Sequence, residues 1–186
     1  MTNDWKHQVS AELGSLAEAA ARYAKSGGEL LMNYFRAELQ VTEKSAGNLV
    51  SEADLESEKL IVSQIRHDYP SDDILSEEDE NHAAQQSSPS LWIIDPLDGT
   101  NNFANGLAHF ATSVAYYREG IAQCGAIYDP IRDELFLAVR GGGAYRNGHR
   151  LHVSAADALN KCLIATGFYY DRGEIMRRTL RTIEAF

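Results

Sequence analysis

The run Trp92-Ile93-Ile94-Asp95-Pro96-Leu97-Asp98-Gly99-Thr100-Asn101-Asn102-Phe103 limits what this chain can fold into more than any other stretch. Leu91 to Ile94 is unbroken apolar sequence, as expected of a short buried strand. It meets an aspartate and then Pro96, which has a fixed φ and no amide hydrogen for a ladder. The expectation is a central strand that ends there in a turn. Asp98-Gly99-Thr100-Asn101 has the composition of a turn running into a helix start. The strand thus delivers two carboxylates, across a rigid turn, to the first amides of a helix. Oxygen ligands for a hard cation and donors for a phosphate then lie side by side. Ending a buried strand in carboxylates costs stability unless something binds them, so the pattern points to metal-assisted phosphate chemistry.

The flanking sequence supplies the frame. Val9, Leu13, Leu16, Ala20, Ala24, Leu31 and Phe35 recur at helical spacing, which predicts an amphipathic helix over about 5–36, with Gly27-Gly28 as a point of bending or interruption. Ser51 is positioned to open a second helix, with Leu55, Leu60, Ile61, Val62 and Ile65 on its buried side and Tyr69-Pro70-Ser71 closing it. Glu80 to Ser90 has loop composition. From Phe110 onward the period becomes two: 110–118, 121–128 and 134–139 are strand candidates, Glu119-Gly120 and Asp129-Pro130 turns, and Asn147-Gly148 a hairpin leading into Leu151–Val153. Residues 162–166 read as one more short strand and 171–186 as a helix. The expected fold class is α/β in layers, helices flanking a large antiparallel sheet. Residues 1–153 would form an α+β domain carrying the site, and 154–186 the start of a second α/β part.

Composition narrows the function classes. Seventeen basic against 27 acidic residues give a net charge of −10, which argues against a nucleic-acid partner, since phosphate backbones call for clustered Lys and Arg. No stretch approaches membrane-spanning length, and residues 1–7 are polar with no apolar segment after them. A cytoplasmic protein without a membrane partner is the expectation. Cys124 and Cys162 lie in apolar runs and form no Cys-x-x-Cys pair, so two buried, reduced thiols are expected.

The Asp95–Phe103 string resembles the signature of the inositol monophosphatase family of Mg²⁺-dependent phosphatases. Lys44, then Val50-Ser51-Glu52-Ala53-Asp54, then Leu75-Ser76-Glu77-Glu78 match further family segments in order and approximate spacing. The resemblance implies two or three Mg²⁺ ions. Glu77, Asp95 and the Leu97 carbonyl would ligate the first, and Asp95 and Asp98 the second. Asp54 and Thr100 would orient and deprotonate the nucleophilic water, with Glu77 also counted in the catalytic set. The Gly99 and Thr100 amides would hold the phosphate, and Lys44 would lie on a loop closing over the site. It implies a phosphomonoesterase for inositol monophosphate or a related polyol or sugar phosphate, Li⁺ sensitivity and a homodimer. Histidinol phosphate, fructose bisphosphate or a nucleotide are the alternative substrates. Family members also carry a second signature, Trp-Asp followed by small residues, whose aspartate is a further metal ligand. Trp5 precedes Lys6 and Trp92 precedes Ile93, and these are the only tryptophans. On this resemblance the second α/β part is truncated, and a regulatory or binding protein on a phosphatase scaffold is the rival reading.

Taken one at a time, the same residues have plainer roles. Three converging carboxylates, Glu77, Asp95 and Asp98, would repel one another and take up protons unless cations intervened. Mg²⁺ accepts a few such oxygens at about 2.0–2.1 Å and keeps its remaining waters. Two cations about 3.5–4 Å apart could share Asp95. Asp54, three residues after Ser51, is equally placed to cap a helix, and Thr100 to serve as an N-cap. Glu78 to Glu80 read as a solvated acidic run. Gly141-Gly142-Gly143 lacks the following Lys-Ser/Thr of a phosphate loop and reads as a turn. His149 and His152 read as surface histidines rather than zinc ligands.

Overall fold

The computed structural model describes residues 4–38, 46–76, 88–168 and 173–185, with the backbone alone for 4, 37, 38 and 46–51. Helix α1 (Ala11–Glu38) starts where Ser10 accepts a hydrogen bond from the Leu13 amide at 3.2 Å, an N-cap by geometry. Leu16, Ala20, Ala24, Leu31 and Phe35 form its buried stripe as their spacing requires, together with Ala17 and Tyr23. Helix α1 runs through Gly27-Gly28 without interruption. These glycines serve packing: a Cβ on Gly27 would fall 2.7 Å from Ile61 Cδ1, and one on Gly28 2.6 Å from Tyr128 Cδ1. The bare backbone lets the next helix and a strand come close.

Helix α2 (Ala46–Asp68) starts five residues before the expected Ser51. Its buried stripe is Ala53, Ser57, Ile61 and Ile65, successive i+4 positions facing α1. Leu55, expected on that side, is 47% exposed; its position falls outside the stripe. The C-terminal end of α2 is tied to α1 by Asp68, which accepts hydrogen bonds from Arg22 at 2.6 Å and Tyr23 at 2.7 Å. The Tyr23 hydrogen bond, followed by Arg22, holds the Asp68 carboxyl below its ordinary value against the opposing effect of burial.

Seven strands follow: β1 (Asp73–Ser76), β2 (Ser90–Asp98), β3 (Ala111–Arg118), β4 (Ile121–Asp129), β5 (Glu134–Val139), β6 (Gly143–Arg146) and β7 (His149–Leu151). They lie in the sheet in sequence order; β1 pairs parallel with β2 and every other pair is antiparallel. Asn147 and Gly148 both take positive φ, the geometry of a two-residue hairpin. The last strand therefore begins at His149 rather than Leu151. Gly141 is in the turn between β5 and β6, and His149 and His152 are exposed.

The helices cover one face of the sheet. Trp92, Ile94, Val114, Tyr116, Ala126 and Val139 point from the strands into one core cluster with α1 and α2. Trp92 is fully buried, its ring 5.5 Å from Tyr23, 5.2 Å from Tyr69 and 5.0 Å from Tyr116. Each such pair contributes about 0.5–1.5 kcal/mol beyond area burial. The indole N–H donates to Asp72 at 3.1 Å. A second cluster, of Leu31, Phe35, Ala53, Leu97, Phe103 and Phe110, lies at the end of β2 where Pro96 stands.

The chain divides into two compact units, 1–151 and 152–186. The second holds a 3-10 turn (Leu159–Lys161) and helix α4 (Glu174–Glu184). The strand expected at 162–166 is not formed, because a strand is held by a paired neighbour and no strand occurs among this unit's described residues. Cys162, expected to be buried, is exposed for the same reason, while Cys124 is buried in the sheet of the first unit; both are free thiols.

Candidate metal and phosphate site

The site grows out of an irregularity in β2. Asp95 pairs with Ser113 and Asp98 with Ala111, so Pro96 and Leu97 together stand opposite the single residue Thr112. This is a β-bulge, two residues against one. It also corrects the expectation that the strand would stop before Pro96: β2 runs through the proline to Asp98. A bulge leaves a residue out of the ladder, and a residue without an amide hydrogen fits there without losing a bond. The Pro96 carbonyl is taken by side chains instead, accepting from Thr112 Oγ1 at 2.9 Å and, at a longer 3.4 Å, from Ser57 Oγ.

The bulge turns the next groups toward one end of the sheet. Leu97 keeps its side chain in the second core cluster, 1% exposed, which leaves its backbone carbonyl as its polar contribution. That carbonyl accepts a hydrogen bond from Thr100 Oγ1 at 3.0 Å. Asp98 is exposed and Asp95 half-buried. Gly99 follows at φ 97° and ψ 34°, as the residue preceding the short helix α3 (Thr100–Ala104). Gly99 therefore occupies the cap position, Thr100 is the first helical residue, and the N-cap alternative for Thr100 falls. The first amides of α3 have no intrahelical acceptor.

Phe103 anchors α3 from below, with ring centroids 5.4 Å from Phe35 and 4.9 Å from Phe110. Asn102 Nδ2 donates to the His109 carbonyl at 2.8 Å, closing the segment that follows. Asp54 enters from α2, which packs on α3, and its neighbour Ala53 shares the apolar floor with Leu97 and Phe103. Because α2 begins at Ala46, Asp54 stands inside the helix, which removes its capping role. Asp54 and Asp95 each have interactions of their own, and among the described residues no hydrogen bond reaches the buried Oδ1 of either, or Ser76 Oγ in the residue paired with Ile94 beside Asp95.

The structure thus brings Asp54, Asp95, Leu97, Asp98, Gly99 and Thr100 to one end of the sheet around one bulge. Lys44, Glu77 and the run Glu78 to Glu80 lie outside the described residues. Every donor in the described set is a carboxylate, carbonyl or hydroxyl oxygen, the chemistry that suits Mg²⁺ rather than zinc or a soft metal. Among the described residues no three His, Cys, Asp or Glu side chains form a metal-holding group by themselves. A cation here would draw also on the Leu97 carbonyl and on water or substrate oxygen. Nearby on α1, Tyr34 is raised above its ordinary value, by burial first and then by Glu52 and Glu56, so α2 adds negative charge to this end of the molecule.

Ser57 and Thr112 support the site and have no place in the motif, while Asn102, which belongs to the motif string, supports the site through the His109 carbonyl. The available signal was polarity out of place: Thr112 interrupts the in-facing series Phe110, Val114, Tyr116, and Ser57 interrupts Ala53, Ile61, Ile65.

Comparison with known proteins identifies the family. A model of the inositol monophosphatase family matches residues 12–186. The Nus factor SuhB of Pasteurella multocida is 39% identical over 166 residues, 88% of this chain and 62% of the relative. The crystal structure of the extragenic suppressor protein suhB from Bartonella henselae superposes with a TM-score of 0.74 at 36% identity, covering 92% of this chain and 66% of that one. The inositol monophosphatase of Anabaena (Nostoc) sp. PCC 7120 gives a TM-score of 0.66 at 33% identity, over 79% of this chain and 51% of that one. The chain spans about three-fifths of the length of the curated relatives it matches. With the bulged Asp95–Thr100 turn and a family match over nearly its whole length, this chain belongs to the inositol monophosphatase family.

Proposed function

We propose that this chain carries the catalytic face of a Mg²⁺-dependent phosphomonoesterase acting on inositol monophosphate or a related polyol or sugar phosphate. The observation that carries the reading is the β2 bulge, which groups Asp95, the Leu97 carbonyl, Asp98 and the first amides of α3. Asp95 and the Leu97 carbonyl, with Glu77, would hold one cation, and Asp95 with Asp98 a second. When bound, such ions polarise the phosphoryl oxygens, lower the pKa of a coordinated water and stabilise the leaving oxygen. The Thr100 hydroxyl spends its only proton on the Leu97 carbonyl, which leaves its oxygen as an acceptor for the attacking water. Asp54 takes the proton that this water releases. The Gly99 and Thr100 amides donate to the phosphate oxygens, and Lys44, outside the described residues, would add a positive charge. Inhibition by Li⁺, a homodimeric assembly and a cytoplasmic location belong to the same reading. No helix among the described residues is long and apolar enough to cross a membrane.

A second reading is favoured by the names of the relatives. Several of them, at 39–40% identity, are Nus factors, which fits a regulatory or binding role on this scaffold. Release of inorganic phosphate from a panel of inositol monophosphates, fructose bisphosphate, histidinol phosphate and nucleotides, with Mg²⁺ and with EDTA, separates the two. Mg²⁺-dependent release supports the phosphatase; silence across the panel from a folded chain supports the regulatory role.

A further inference from the structure

Three elements converge on one backbone oxygen. The carbonyl of Pro96 lies between Asp95 and Leu97, in the bulge, and Pro96 is itself buried. Thr112, fully buried and directly opposite the bulge, donates to it at 2.9 Å from β3. Ser57, also fully buried, approaches at 3.4 Å from α2. Gly27 of α1 closes the third side: a Cβ there would lie 2.9 Å from Ser57 Oγ and 3.1 Å from Thr112 Cγ2. Two hydroxyls buried among Ile61, Val114 and Phe110 are an expensive way to fill space unless the carbonyl they serve must be held.

We infer that Thr112 is a positioning residue for the cation site, assisted by Ser57. This rests on the reading that Asp95 and the Leu97 carbonyl are Mg²⁺ ligands. The bulge takes the Pro96 carbonyl out of the regular ladder, and the Thr112 hydroxyl replaces the missing donor. That bond fixes the peptide plane following Pro96. Its orientation is one restraint on where the Leu97 carbonyl points, and the Thr100 hydroxyl, which bonds that carbonyl at 3.0 Å, is a second. Upstream, the same restraint limits the rotation of the backbone that carries Asp95. Ligand geometry of this kind has to be kept to within about 0.5 Å, and the groups behind first ligands are what keep it. Valine at 112 would fill nearly the same space and donate nothing; serine would donate without the methyl.

The test compares wild type, Thr112→Val and Thr112→Ser in the 186-residue chain with two readouts that need no turnover. Mn²⁺ binding is followed by the electron paramagnetic resonance of the free ion, and amide hydrogen exchange is followed across residues 97–103. We expect Thr112→Val to bind Mn²⁺ about tenfold more weakly or worse, with faster exchange confined to 97–103 while α1 and β4 stay protected. Thr112→Ser is expected to stay close to wild type in both, which a purely space-filling role would not produce. Equal Mn²⁺ affinity in wild type and Thr112→Val would overturn the proposal, as would a Thr112→Ser variant no better than Thr112→Val. A folded wild type that binds no Mn²⁺ would overturn it in a distinguishable way, by removing the metal reading on which it rests.

Discussion

Gly99→Ala probes the turn proposed to hold the phosphate, with a cost that can be worked from the backbone. Gly99 sits at φ 97°, where an L-residue is strained by about 1–2 kcal/mol. Its added Cβ would lie 3.0 Å from the His109 carbonyl oxygen and 3.3 Å from Phe110 Cα. Both atoms are backbone, one in the loop closed by Asn102 and one beside the buried Phe110 ring, so they yield only by moving the turn. Overpacking of this kind costs about 1–3 kcal/mol. The sum is about 2–5 kcal/mol. Gly120, in the turn between β3 and β4, supplies the control: it has φ 73° and nothing within 4 Å of its Cβ position. Gly120→Ala should cost only the conformational share, about 1–2 kcal/mol. Urea unfolding with unchanged m-values measures the difference, and each kcal/mol corresponds to roughly 2–4 °C in Tm for a chain of this length. Phosphate release should fall in Gly99→Ala and persist in Gly120→Ala. Equal destabilisation of the two variants would refute the claim that the turn is closed against the His109 carbonyl.

Two other outcomes follow from the titrating groups. Asp68 has its carboxyl lowered in the folded state by Tyr23 and Arg22, so its contribution is complete above the unfolded value of about 3.9 and is lost as pH falls through the lower folded value. The Tm difference between wild type and Asp68→Asn should accordingly be level through neutral pH and shrink toward zero in acid; a difference that grows on acidification would contradict the Arg22–Asp68–Tyr23 tie. Burial pushes the Cys124 thiol up to about 12, whereas Cys162 is exposed. A disulfide reagent near pH 8 should therefore label one thiol in the native chain and two after unfolding, and Cys162→Ser should abolish the native reaction.

Much of the frame is legible because period and punctuation act locally. The alternation after Phe110 gives β3, β4 and β5 with small shifts at their ends, and Asn147-Gly148 marks the hairpin, but β6 (Gly143–Arg146) is not among the strand candidates and Gly143, read as part of a turn, opens it. Helix α1 follows from its stripe. What was not legible depends on partners distant in sequence. Gly27-Gly28 reads as a break until Ile61 and Tyr128 are seen pressing against it. Pro96 reads as a stop because the bulge that accommodates it is defined by its pairing with β3. At the site, the motif pointed to the Asp95–Thr100 turn and Asp54. Ser57 and Thr112 carry no motif; they matter through the carbonyl they reach, 39 and 16 residues away in sequence. The 162–166 run has the residues of a strand but no neighbouring strand in its unit among the described residues.

The central claim, that Asp95 and its neighbours hold Mg²⁺ for phosphoester hydrolysis, is tested most directly by the Mg²⁺ dependence of phosphate release from inositol monophosphate in wild type and Asp95→Asn. The account predicts release that rises with Mg²⁺, stops with EDTA and falls by at least about a hundredfold in Asp95→Asn, losing several kcal/mol of transition-state stabilisation. Release that is independent of Mg²⁺, or equal in the Asp95→Asn variant, would contradict it.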